Sequence, residues 1–139
     1  MKPVTVTAQY TDLGEAAGVD LVFFSAGGLI LAVESIKVRD LCEVAGSQAP
    51  SMAALLHLPN GPDRAAPPRE RLLRLVHPDG TLTVRVDEPV TQGRLPATAL
   101  YPLPPLLKAR LTLPGVCALA RWRNSDGEGL AVVLDPAGF

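Results

Sequence analysis

The chain has 139 residues, 47% of them hydrophobic but only 4% aromatic, with 13 Lys+Arg against 14 Asp+Glu and a net charge of -1. That composition supports one domain, or two tightly fused lobes, around a core made mainly of Leu, Val and Ala. It excludes a basic field able to hold a nucleic-acid backbone, and side chains that could stack on bases are scarce.

Residues 1–19 are mixed in character and read as a flexible N-terminal arm without the apolar stretch of a secretory leader. No apolar run further on reaches the roughly 18 residues of a membrane helix. A cytoplasmic protein with no membrane insertion is the expectation. From Asp20 the character changes. "DLVFFSAGGLILAV" is two apolar runs around Gly27-Gly28, the pattern of a β-hairpin whose glycines supply a positive φ. "VESIKVRDLCEV" fits one helical turn and then a strand, although Val33, Ile36 and Val38 do not settle its period. "APSMAALLHL" is a short run of helix formers. "PNGPDRAAPPRE" packs four prolines into a loop that cannot be a central strand.

"RLLRLVHPDGTLTVRVDE" is the clearest hairpin. Pro78 and Asp79-Gly80 make its turn, and Leu82, Val84 and Val86 then alternate with Thr81, Thr83 and Arg85. "LPATALYPLPPLL" is too proline-rich for more than a helical turn near Ala97 to Leu100. "GVCALARW" and "GLAVVLDP" are two further strands joined by "RNSDGEG". About six or seven short strands with little helix predict an all-β fold, a small barrel or a pair of them.

Candidate chemistry is sparse. Asp87 and Glu88 are adjacent, but neighbours on a strand point to opposite faces, and Pro89 is expected to end the ladder. A turn Asp87 and a solvated Glu88 are favoured over an acid/base pair. His57 and His77 lack partners at metal-ligand spacing and read as a core-edge and a turn residue. Cys42 and Cys117 read as small, inert core residues. "SAGG" lacks the Lys-Ser/Thr of a phosphate loop. Trp122, between two arginines, is either a surface cation-π anchor or a partly buried indole. No catalytic group, metal site or cofactor is expected, and protein binding is the favoured business of the chain.

Laid out in this order, residues from Asp20 to Phe139 resemble the CheW-like family of bacterial chemosensory coupling proteins. "LVFFSAGGLILAVESIKVRDL" is similar to that family's opening, with Val38 and Asp40-Leu41 in its last positions. "GTLTVRVDEPV" resembles its "VGLxVDEV" strand, and "LPATALYPLPPLL" the segment ending "I-x-P-L-P". "LPGVCALARW" and "GLAVVLDP" resemble its last strands. The resemblance implies two small SH3-like β-barrel subdomains packed on a shared hydrophobic core, with no enzymatic activity and no cofactor. It also implies an adaptor linking the cytoplasmic tips of methyl-accepting chemoreceptors to a CheA-type histidine kinase regulatory domain or another CheW-like protein. By position, Val38 and Asp40 would lie on the receptor side. The departure is at the coupling turn. Asn60 stands where the family has Arg, Gly61 is kept, and the strand that follows in the family has no counterpart. One barrel is therefore expected to be truncated or altered, kinase coupling weakened, and a bare strand edge free for self-association. The alternative reading is a β-barrel sensor with a small ligand in the seam between its lobes.

Overall fold

Eight strands form one sheet in the computed structural model, which describes residues 18–58, 69–124 and 127–139. They are β1 (Gly18–Ala26), β2 (Leu29–Glu34), β3 (Val38–Glu43), β4 (Glu70–His77), β5 (Gly80–Pro96), β6 (Leu100–Pro102), β7 (Val116–Asn124) and β8 (Gly127–Leu134). Two short helices, α1 (Met52–Leu55) and α2 (Pro105–Arg110), complete the regular structure with a few 3-10 turns. The strand order is β3-β4-β5-β1-β2-β8-β7-β6. Neighbours run antiparallel except β2 and β8, which are parallel.

The sheet separates two cores, and the side-chain alternation of its middle strands explains both. In β1, Phe24 and Ala26 enter a first core while Leu21 and Phe23 face a second. In β2, Leu31 and Val33 enter the first and Ala32 the second. In β8, Leu134 belongs to the first and Ala131 and Val133 to the second. A strand buried on both faces needs apolar residues at every position, which is why "LVFF", "LILAV" and "LAVVL" read as unbroken runs. β4 and the first half of β5 close over the first core with Leu73, Leu75, Val84 and Val86. Met52 and Leu56 of the α1 segment cap that core. β7 adds Ala120 to the second, with Leu95, Leu100 and Trp122 packed around it.

This is the expected all-β architecture of two small lobes sharing a core wall. The sheet is not closed. β3 and β6 end it, and neither pairs a second described strand. The first lobe is therefore an open barrel with β3 at its lip. The proline-rich loop, with Asn60 and Gly61, lies at residues 59–68, outside the described residues.

Several sequence expectations need correction. β1 begins at Gly18, so the last two residues of the expected arm already pair with β5, Gly18 with Pro96 and Val19 with Leu95. β5 does not end at Pro89. There Phe24 of β1 faces Glu88, Pro89 and Val90 together, since the ladder jumps from Phe23–Thr91 to Ser25–Asp87. Proline sits in that bulge, where no ladder donor is needed, and the strand then rejoins β1. The strand β6 and the helix α2 occupy a segment expected to hold only a turn. His57 is not a core-edge residue. It is exposed at φ 57° just past α1, where its N–H donates to Ala54 O (3.1 Å) and that of Leu58 to Ala53 O (2.9 Å). That is a Schellman-type helix end, a place that favours glycine.

Candidate protein-docking surfaces

The candidate catalytic groups come first, because the structure disperses them. Glu88 is not simply solvated. Its carboxylate lies 3.4 Å from Arg71 Nη1 and 3.6 Å from Arg69 Nε, in a cross-strand ion-pair ladder that Arg71 extends to Glu43 (3.6 Å). Asp87 is registered between Glu70 of β4 and Ser25 of β1, so it is a ladder residue and not a turn residue. His77 is a joint more than a turn residue, its side chain only 14% exposed. Its Nδ1 accepts from the Asp79 N–H at 3.1 Å. The proton therefore sits on Nε2, which donates to Phe139 O at 2.8 Å and ties the C-terminal turn to β4. Cys117 is exposed and Cys42 half-buried, so neither is a core residue. The Cys117 thiol donates to Val133 O at 3.5 Å, and burial of the sulfur, with Asp135 and Glu34 nearby, pushes its pKa up. A protonated thiol is a poor nucleophile. Among the described residues no group of three His, Cys, Asp or Glu is placed to hold a metal ion. Trp122 is the half-buried indole of the two readings, lying on Gly129 so closely that an added Cβ would come within 2.8 Å of its ring.

What the surface offers instead is exposed apolar side chains, among them Leu130 on β8 and those at two corners of the fold. The first is the turn before β3. A 3-10 turn, Ser35–Lys37, is pinned on both sides by Lys37 Nζ to Asp135 Oδ1 (3.4 Å) and by Gln92 Nε2 to Ser35 Oγ (3.3 Å). Ile36, between the pins, is 80% exposed. A β-bulge follows between Val38 and Asp40. It turns Val38 inward against the first core, while Asp40 stays outside, 3.4 Å from Arg74 Nη1. The two residues expected on one receptor-side patch thus point differently, and the apolar tip of this corner is Ile36. Its signal in the sequence is an isoleucine held in a three-residue turn between Ser and Lys.

The second place is the β6–α2 corner. No residue of α2 is buried, and Leu106 is 70% exposed beside Leu107, with Tyr101 exposed on β6. A helix of about six residues is unstable by itself in water, which makes its exposed leucines a candidate docking feature. The charge here has one sign. From Pro89 to Asn124 the chain carries Arg94, Lys108, Arg110, Arg121 and Arg123 and no acidic residue. Arg94 is matched by Asp20 (3.0 Å), and Arg121 and Arg123 by Glu128 (3.9 and 3.2 Å). Lys108 and Arg110 take part in none of the described ion pairs.

The seam between the lobes is filled. Leu21, Leu31, Ala32 and Val33 in its wall are fully buried. A separate cleft of about 550 Å³, wide open to solvent, lies between Phe23, Ile30, Pro89, Leu95 and Trp122. Its rim cations Arg94 and Arg123 are those already matched by acids. No helix among the described residues is long and apolar enough to cross a membrane.

No protein-family model matches the chain, and no curated protein does. Among solved structures it is similar to the scaffolding protein CheW of Thermoanaerobacter tengcongensis, with a TM-score of 0.59 and 12% sequence identity over 86% of this chain and 90% of that one. At that identity the likeness establishes the fold, and the fold is CheW-like.

Proposed function

We propose that this CheW-like chain is a non-enzymatic, cytoplasmic adaptor of a bacterial chemosensory array. The observation that carries the reading is the pairing of a CheW-like fold with two separate exposed apolar corners, Ile36 before β3 and Leu106–Leu107 on α2. An adaptor needs two places to hold, and dispersed, ion-paired carboxylates with a protonated thiol leave no evident chemistry to compete. The 3-10 turn and β3, with Ile36 and Asp40, form the face for a chemoreceptor tip. Ile36, 80% exposed, is its apolar anchor. The basic α2 corner takes a second array component, another CheW-type protein or a CheA-type regulatory domain.

Direct kinase coupling is weakened in this reading. The support is Asn60 in place of the family's Arg, the missing counterpart of the next family strand, and the open lip at β3. The test is a reconstituted assay with receptor-bearing membranes and kinase, in which this chain replaces an intact coupling protein. Retention on a receptor-tip fragment with kinase stimulation well below that of the intact protein is expected. Strong kinase binding with normal activation would remove the weakened-coupling part, and failure to bind any array component would remove the whole.

A further inference from the structure

The outer edge of β3, which pairs no second described strand, carries a sequence complementary to itself. Among the described residues β3 hydrogen-bonds only to β4, and the outer edge of such a strand presents backbone donors and acceptors that seek another strand. Residues 38–44 read VRDLCEV. When two copies run antiparallel about a two-fold axis at Leu41, Leu41 faces its own copy and Arg39 faces Glu43. In the same register Asp40 faces the neutral Cys42, while Val38 lies across the bulge and Val44 past the end of β3. Leucine meets leucine, and opposite charges meet twice.

Other registers lack this match. An axis at Asp40 sets Asp40 against itself, and an axis at Cys42 sets Leu41 against Glu43. Parallel in-register pairing sets Arg39 against Arg39. Directly opposed like charges destabilise a strand pair, and opposite charges stabilise it. The groups are available for the exchange. Glu43 has a 70% exposed side chain and a loose 3.6 Å contact to Arg71. Arg39 donates to the Gly80 carbonyl at 3.4 Å. Exposed pairs of that kind contribute little. Charges and a bulge are also the usual guards of an edge strand. Here they turn away foreign strands while admitting a copy in one register.

We infer that the chain forms a homodimer by antiparallel β3–β3 pairing centred on Leu41. The contact is short and far below the about 1,200 Å² of a stable interface, so the dimer is a weak one. The inference rests on β3 itself; it shares that strand with the proposed receptor face, and its test needs no receptor.

Sedimentation equilibrium from micromolar to millimolar concentration tests it. The wild type is expected to pass from monomer to dimer, and Arg39→Glu and Glu43→Arg each to weaken the dimer about tenfold or more. The double variant, which restores opposite charges across the axis, is expected to dimerise again, and misfolding cannot mimic that recovery. In a Cys42→Ser, Cys117→Ser background, Leu41→Cys is expected to form a covalent dimer under mild oxidant. A wild type that stays monomeric throughout overturns the inference. So does a dimer indifferent to both single charge reversals, or a Leu41→Cys variant in that background that forms no covalent dimer.

Discussion

Single residues in this chain mostly do structural work that their chemistry would not announce. His57 looks like a candidate ligand, yet it is an exposed helix-end residue in the left-handed region. Because that position suits glycine, His57→Gly is expected to hold or raise stability, by up to about 1 kcal/mol, in urea titration. Loss of stability would mean that the imidazole makes contacts beyond the cap. Cys117 is an exposed residue whose sulfur is desolvated against β8. With its pKa raised, less thiolate is present at any pH near 8 than for a free cysteine, so alkylation by iodoacetamide is expected to run slower than that of a free thiol control. Faster alkylation would reopen the question of a reactive cysteine. His77 and Ile36 show the limit of reading residues one at a time. The bond of His77 to Phe139 and the outward pointing of Ile36 both depend on partners far along the chain, Phe139 in one case and Asp135 and Gln92 in the other.

At the scale of elements, legibility followed burial. The hairpin of β4 and β5 could be read because one face is wet, giving strict alternation, and Asp79-Gly80 marks its turn. β1, β2 and β8 could be read as strands from their apolar runs, but not as a wall between two cores. The strand order sets that, and only then does each residue acquire a side. The second half of β5 was hidden by Pro89, since a bulge that tolerates proline is a property of the pair and not of one strand. β6 was hidden by its brevity and by Pro102. Val38 and Asp40, expected on one patch, were separated by another bulge, again a feature of pairing. The second core offers a test of the two-sided wall. Ala32, Ala120 and Ala131 are fully buried there, so three neighbouring strands meet through methyl groups. Ala32→Leu is expected to overpack that core and cost about 1–3 kcal/mol by denaturant unfolding. Tolerance of the larger residue would mean the second lobe is loosely filled.

On the scale of the whole molecule, the account is of an open, two-lobed β-structure that works by its surface. Both cores are filled by aliphatic side chains, no buried charged residue is found among the described residues, and the charged groups are spread in ion pairs over the outside. Exposed apolar groups include those at a corner before β3 and a corner after β6, and Leu130 on β8. The most direct test measures binding of the chain to an immobilised receptor-tip fragment by surface plasmon resonance, for wild type, Ile36→Asp and Leu106→Asp. Both positions are exposed, so neither change should alter the melting temperature. The account predicts wild-type binding that Ile36→Asp weakens about tenfold or more, a central apolar anchor being worth about 2 kcal/mol, and that Leu106→Asp leaves unchanged. Absence of wild-type binding, or a tip that does not distinguish the two variants, would contradict it.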